Sequence, residues 1–218
     1  MQIGIIGAGM IGGTLTRLLA MRGHSVRVAN SRGPQTLADI AAATGAQAVW
    51  AKDAAADADV VIISIPQRSV PDLVQGILSA ARPGAAIIET NNYYPKRDGR
   101  IAAIEAGITE SQWVAERLGV PVIKVFNTIW YRHLLKDGRP AGAPGRIALP
   151  VAGASGPAKT LSYKLVDELG FDPVDGGTLA ESWRQQPGTP VYDKNLDAEA
   201  ARLALASASP VRRQEFFA

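Results

Sequence analysis

Residues 2–13, Gln2-Ile3-Gly4-Ile5-Ile6-Gly7-Ala8-Gly9-Met10-Ile11-Gly12-Gly13, decide how the rest of the chain reads. The apolar run Gln2–Gly7 has the composition of a buried strand. Met10–Arg22 has helical period, with Ile11, Leu15, Leu18 and Leu19 on one stripe, and Gly23 stands where a helix should close. Between them, Gly7-Ala8-Gly9-Met10-Ile11-Gly12 matches G-x-G-x-x-G. A glycine triplet alone carries little weight. This one follows a strand and opens an amphipathic helix, the context that dinucleotide binding requires. Gly7 permits a tight turn, Gly9 lets the backbone approach a pyrophosphate, and Gly12 lets helix and strand pack closely. The amides and dipole at the start of that helix then hold phosphate charge.

Outward from this point, β-branched runs alternate with helical segments. Strands are expected at Ser25–Asn30, Ala46–Trp50, Asp59–Ile65, Ala85–Glu89 and Pro121–Phe126, and helices at Gln35–Thr44, Val70–Ala81 and Thr109–Leu118. Asp59–Ile65 is a continuous apolar run, the mark of a parallel strand buried on both faces. The alternation predicts an α/β fold, a Rossmann-type doubly wound and mostly parallel sheet. After the Gly/Pro-rich loop Lys136–Arg146 the rhythm changes to a small C-terminal α/β lobe. There Ile147–Ala152 and Asp172–Val174 read as strands, and Pro157–Leu169, Thr178–Arg184 and Ala198–Ala208 as helices. The expected division is a dinucleotide-binding domain over 1–134 and a lobe over 147–218 that closes an acceptor cleft, the two forming one compact unit. The tail Pro210–Ala218, with Arg212 and Arg213, reads as a solvated or interface end.

The second strand ends at Asn30-Ser31-Arg32, where NAD-binding proteins usually carry an acid for the ribose 2′-hydroxyl. Here a hydroxyl and a guanidinium stand instead, and they suit a 2′-phosphate. NADP, as NADPH, is therefore the expected cofactor. Later strand ends carry Ser64-Ile65-Pro66-Gln67, Thr90-Asn91-Asn92 and Phe126-Asn127-Thr128. Ligands of doubly wound sheets sit at such ends, so the nicotinamide half is expected against Ser64, Ile65, Pro66, Asn91 and Asn127. Trp130, Tyr131, Trp183 and Tyr192 could stack on an acceptor ring, and each reads equally well as a core or interface aromatic. No Tyr-x-x-x-Lys pair occurs; Lys124 falls in a strand, and His133 falls in a helix where a solvated or capping role is expected. No catalytic side chain is assigned. Hydride transfer between two rings relies on positioning and exclusion of water, so the missing acid favours an acceptor that is itself a redox ring.

The 218 residues contain 47% hydrophobic and 20% charged side chains, a globular composition able to bury one sizeable core. With no cysteine, disulfides, thiolate metal sites and a thiol nucleophile are all excluded, and two histidines make a histidine-built metal site improbable. The net charge of +3 is spread along the chain without interleaved aromatics, which argues against nucleic acid. The opening residues lack a basic leader region, and no run reaches the roughly 20 apolar residues of a membrane span. A cytoplasmic protein with a small-molecule redox partner is the expectation.

Five stretches, GIIGAGMIGGTL, VANSRGPQTL, VVIISIPQRSV, KVFNTIWYRHL and LPVAGASGPAKTLSYKLVDELGFDPVDGGTLAESW, together resemble the NADPH-dependent F420 reductases and, more distantly, the reductase domain of the STEAP metalloreductases. The resemblance runs in order along nearly the whole chain. It implies hydride transfer between NADPH and a flavin-like ring held between the two lobes, with F420, FMN or FAD as second substrate. By motif position, it implies that Gly7, Ala8, Gly9, Met10, Ile11 and Gly12 cradle the pyrophosphate, that Asn30, Ser31 and Arg32 hold the 2′-phosphate, and that Ile65, Pro66 and Asn127 flank the nicotinamide. A homodimer paired through the small lobe is implied as well. Two departures stand out. Gly33-Pro34-Gln35 replaces a further basic residue that the family often has, and 90–109 and 185–192 differ where the acceptor pocket is shaped. Two other readings remain open, an NADPH-dependent imine or keto reductase and a non-catalytic NADP(H) sensor or partner subunit.

Overall fold

The computed structural model describes residues 1–73 and 76–210. Strands β1 (Gln2–Ile6), β2 (Ser25–Ala29), β3 (Gln47–Ala48), β4 (Val60–Ile63), β5 (Ala86–Glu89) and β6 (Ile123–Lys124) form a parallel sheet in the order β3-β2-β1-β4-β5-β6. The order reverses between β1 and β4. That is the switch point at which loops diverge and leave a crevice at the strand C-termini. The fold is thus the expected doubly wound α/β sheet. Strand alternation explains why the strand sequences are apolar throughout: Ile3, Ile5, Val60, Ile62 and Ile88 pack on one face. Ile6, Val61, Ile63 and Ile87 pack on the other.

Helix α1 (Met10–Met21) lies on the first face, its Leu15 and Leu19 buried. Helix α2 (Ala38–Thr44) follows, closed by Gly45 at φ 72°, and α3 (Ala51–Ala54) sits on the opposite face. The approach of α3 to β1 is close enough that a Cβ at Gly4 would lie 2.1 Å from the Ala54 carbonyl oxygen. Short helices α4 (Pro95–Asp98) and α5 (Ala102–Glu105) precede α6 (Glu110–Leu118). A reciprocal capping box between Thr109 and Gln112 starts α6, and Gly119 at φ 69° ends it. Helix α7 (Tyr131–Lys136) packs beside α1. The small lobe is a parallel pair, β7 (Ala148–Val151) and β8 (Asp172–Asp175), joined through α8 (Pro157–Glu168) and covered by α9 (Ala198–Ala206). An antiparallel bridge from Lys124 to Ala152 ties it to the edge of the large sheet.

Several sequence expectations need correction. The helix expected over Val70–Ala81 is instead two 3₁₀ turns, Gln67–Asp72 and Ile77–Ala80, with residues 74 and 75 outside the described residues. Pro71 removes an amide donor and Gly76 turns left-handed at φ 80°, so an α-helix cannot run through. Gln35–Thr44 splits into a 3₁₀ turn over Pro34–Leu37 and then α2, and Thr178–Arg184 is a 3₁₀ segment at Leu179–Gln185. The strand expected over Pro121–Phe126 is only two residues long, since Phe126 takes a left-handed φ of 65°. Helix α3 was not expected at all. In the tail, residues 211–218, Arg212 and Arg213 among them, lie outside the described residues.

Candidate functional site

The glycine loop is shaped as its spacing requires. Gly7 sits at φ 109°, and a Cβ there would lie 2.1 Å from the Ser64 carbonyl oxygen. At Gly12 a Cβ would lie 1.8 Å from the Gly7 carbonyl oxygen, so any side chain would push α1 off β1. Gly9 differs: nothing stands within 4 Å of its would-be Cβ, so its backbone is open to a ligand. Helix α1 begins there with no side-chain cap and no acid in its first turn. Its leading amides and positive dipole end therefore face outward beside Ala8, Met10 and Ile11.

Beyond β2, the Asn30 side-chain oxygen accepts from the Arg32 amide at 2.9 Å, and the Asn30 amide donates to Thr36 Oγ1 at 2.9 Å. Gln35 Nε2 donates to the Arg32 carbonyl at 2.9 Å. These bonds fix the turn through its backbone and leave Ser31 and Arg32 exposed. Among the described residues the Arg32 guanidinium has no partner. A cavity of about 400 Å³ runs from Gly7, Ala8 and Gly9 past Asn30, Ser31 and Arg32 to Ser64, Ile65 and Pro66. A neighbouring groove brings Arg17 of α1 to Arg32, a second basic residue that sequence reasoning missed because fifteen positions separate the two.

A second cavity, about 430 Å³, shares Gly9, Ser64, Ile65 and Pro66 with the first, so the two form one cleft across the switch point. Met10, Ile11, Asn91, Asn127, Trp130, Tyr131 and Tyr192 also line it. Apart from Gly12, which is buried in α1, the fingerprint residues are therefore gathered with Ser64, Ile65, Pro66, Asn91 and Asn127 along one cleft. Trp183 is not among them: it lines a separate cavity with Gln112 and Gln186, its ring covered by Arg184 at 4.6 Å. Asn92, Tyr94 and Arg97, which lie in the 90–109 stretch expected to shape the acceptor pocket but were not named singly as site residues, line the cleft too. His133 holds Asp137 one turn along α7, the solvated role expected of it.

The two asparagines differ in what they have left to offer. Asn127 donates to Asn92 Oδ1 at 3.0 Å and to the Gln185 carbonyl at 2.7 Å, and accepts from Gln185 Nε2 at 2.9 Å. Its side chain is engaged with the protein, and its place follows from the left-handed turn at Phe126. Asn91 accepts from the Ile65 amide at 3.2 Å, but its buried Nδ2 has no partner among the described residues. A buried donor without an acceptor costs about 1–3 kcal/mol, a cost a ligand carbonyl would lift. Beneath it, Glu89 and Lys124 are fully buried. Lys124 Nζ donates to Glu89 at 3.2 Å and to the Asn91 carbonyl at 2.8 Å, and Glu89 accepts from the Asn91 amide at 2.7 Å and from Ser111 at 2.6 Å.

At the far wall, the hydroxyls of Tyr94 and Tyr192 hydrogen-bond to each other. Burial raises both phenols above their ordinary value, with Glu110 adding to the shift in each. Among the described residues no group of three or more His, Cys, Asp or Glu could hold a metal ion, and no helix is long and apolar enough to cross a membrane.

The model of the family described as NADP oxidoreductase, coenzyme F420-dependent, matches residues 2–93. Hypothetical protein SMa0349 of Sinorhizobium meliloti is 32% identical, with a TM-score of 0.77 over 90% of this chain and 95% of that one. A candidate F420-dependent NADP-reductase of Arthrobacter sp. FB24 shares the fold at 22% identity and a TM-score of 0.70, over 84% of this chain and 87% of that one. The Escherichia coli K12 protein YjhV is 49% identical over 78 residues, 35% of this chain, and the chain spans 56% of that relative's length.

Proposed function

The chain belongs to the family of coenzyme F420-dependent NADP oxidoreductases, and from that premise we propose that it passes hydride between NADPH and a flavin or deazaflavin ring. The observation that carries the cofactor half is the Arg32 guanidinium, without a partner among the described residues and carried on the turn beside the glycine loop, where an NAD-binding chain would place an acid. The cleft fits a dinucleotide on three further counts: the open backbone at Gly9, the space forbidden to side chains at Gly7 and Gly12, and the orphaned donor of Asn91.

When bound, NADPH supplies a hydride from its nicotinamide. The chain's own residues do the rest. The α1 amides hold the pyrophosphate, Ser31 and Arg32 hold the 2′-phosphate with Arg17 beside them, and Asn91 Nδ2 fixes the carboxamide. Ile65 and Pro66 wall the nicotinamide and exclude water, which favours hydride transfer over side reactions. Trp130, Tyr131, Tyr94 and Tyr192 leave a slot for a second planar ring, with the last supplied by the small lobe. Positioning of two rings in one cleft is the main source of rate in such a transfer.

The test follows NADPH absorbance with F420, FMN, FAD, a quinone and a cyclic imine in parallel. Turnover with F420 or a flavin is the expected result. Turnover with the imine alone would instead identify a small-molecule imine reductase. Saturable NADPH binding with no turnover in any well would identify a sensor or partner subunit.

A further inference from the structure

Hydride transfer to a ring proceeds without an acid but leaves an anion. The hydride's electron pair makes the new bond to carbon (to nitrogen in a flavin), the acceptor's π bond breaks towards a heteroatom, and a proton delivered to that atom completes the neutral dihydro product. We propose that the Tyr94–Tyr192 phenol pair is the proton donor for the acceptor, an inference that rests on the acceptor reading above.

Both tyrosines line the cleft opposite the strand-end residues Ser64, Ile65 and Pro66, and their hydroxyls are bonded to each other. Among the other hydroxyls of the cleft, Ser64, Thr90 and Thr128 are aliphatic alcohols, far weaker acids than a phenol, and Thr90 gives its proton to Ser64 at 2.9 Å. Tyr131 accepts from Arg132 at 3.1 Å and has no second phenol bonded to it among the described residues. Asp193 is exposed. The pair is also held with some precision. Tyr94 donates its amide to the buried Asp98 at 2.9 Å, and Arg97, bound to the same carboxylate at 2.8 Å, lies over the Tyr94 ring at 5.0 Å. Tyr192 precedes Asp193, which takes a left-handed φ of 54° and donates its amide to the Thr128 carbonyl at 2.9 Å. A strained residue beside a cleft is a common mark of a functional position.

The pairing supplies what a lone phenol lacks. When one hydroxyl gives its proton to the acceptor heteroatom, the phenolate keeps a hydrogen bond from the second phenol, and Arg97 faces the ring of Tyr94. Glu110 and Asp193 are the negative groups whose fields reach the pair. They disfavour a lasting phenolate, so a proton returns from water through the exposed edge of the cleft. Both hydroxyls carry their protons at neutral pH, as any phenol does, so the pair meets the acceptor as a donor and not as a base.

Tyr94→Phe, Tyr192→Phe and the double variant test this, since each keeps its ring. A general acid contributes roughly 10²–10⁴-fold, so each single variant is expected to lower kcat about 100-fold while the NADPH Kd, read by fluorescence, moves less than about threefold. The double variant should be no slower than the worse single one, because the two act as a unit. A second readout needs no turnover. By NMR of ring-labelled tyrosine in the free protein, Tyr94→Phe should move the Tyr192 Cζ resonance, as loss of the phenol–phenol hydrogen bond requires. Single variants within threefold of wild-type kcat would overturn the proposal. So would an unmoved Tyr192 resonance, or a loss expressed as a weaker NADPH Kd and a lower Tm, the pattern of a brace. A wild type that binds NADPH and reduces no acceptor overturns the acceptor reading and this inference with it. Absence of NADPH binding overturns the cofactor reading instead.

Discussion

Replacing Arg32 with alanine isolates the interaction proposed to separate NADPH from NADH. The turn that carries Arg32 is held by Asn30, Gln35 and Thr36 through backbone and neighbouring side chains, and none of those bonds uses the guanidinium. Because the guanidinium has no partner among the described residues, its removal orphans nothing in the free protein. The loss should therefore appear only in the complex. A hydrogen bond to a charged group contributes about 1.5–3 kcal/mol. Arg32 is exposed and its ligand charge is screened, so the lower end applies, about 1.5–2 kcal/mol. At about 1.4 kcal/mol per tenfold, NADPH affinity should fall about 10- to 30-fold. NADH, lacking the 2′-phosphate, should lose less than about twofold. Fluorescence titration of both nucleotides against both proteins measures this, and raising salt should narrow the wild-type preference. An equal loss for the two nucleotides would show that Arg32 does not read the 2′-phosphate.

Two other perturbations separate further parts of the structure. Asn91→Ala removes the orphaned donor at the nicotinamide end, which both nucleotides share. NADPH and NADH should weaken together by about three- to tenfold, from the 0.5–1.5 kcal/mol of one ordinary hydrogen bond, and a loss confined to NADPH would refute this placement. Asp175 of β8 is held below the usual carboxylate range, first by Lys159 at 2.8 Å and then by the Gly177 amide. A carboxyl with a depressed folded pKa stabilises the protein above its unfolded value of about 3.9, and that stability is lost as pH falls through the folded value. Urea unfolding of Asp175→Asn should thus lie below wild type at pH 7 and converge with it towards about pH 3, and a constant gap would refute the assignment.

The shape of the glycine loop and of the turn after β2 was legible because its chemistry is local. Gly7, Gly9 and Gly12 stand within six residues, and Asn30-Ser31-Arg32 is a single turn, so spacing alone implied the arrangement later seen. Strands were legible for the same reason, their apolar runs short and bounded. The 3₁₀ turns over Gln67–Asp72 and Ile77–Ala80 were not, because apolar spacing indicated a helix where Pro71 and Gly76 forbid one. The 90–109 and 185–192 stretches were expected to shape one pocket, but the pairing of Tyr94 with Tyr192 within them was hidden. Tyr94 and Tyr192 lie 98 residues apart, and only the sheet order and the return of the small lobe bring them together. Trp183, as aromatic as either, went to another cavity, and nothing in its neighbours distinguishes it.

Glu89 and Lys124 show why burial and charge must be weighed in three dimensions. In sequence, Glu89 ends an apolar strand and Lys124 sits inside another, two positions that read as exceptions. Register pairs them across β5 and β6, where both are fully buried. An apolar pair of similar volume would often stabilise a core at least as well, so stability is a poor account of these charges. What the pair does is grip Asn91 from both sides, Glu89 taking its amide and Lys124 donating to its carbonyl. With Ile65 bonded to the Asn91 side-chain oxygen, the one group left over is Nδ2. A residue held at every other polar atom cannot turn to satisfy the last one. The ion pair thus converts desolvation cost into the orientation of a single donor, and this explains why so polar a cluster lies under the most apolar sheet in the chain.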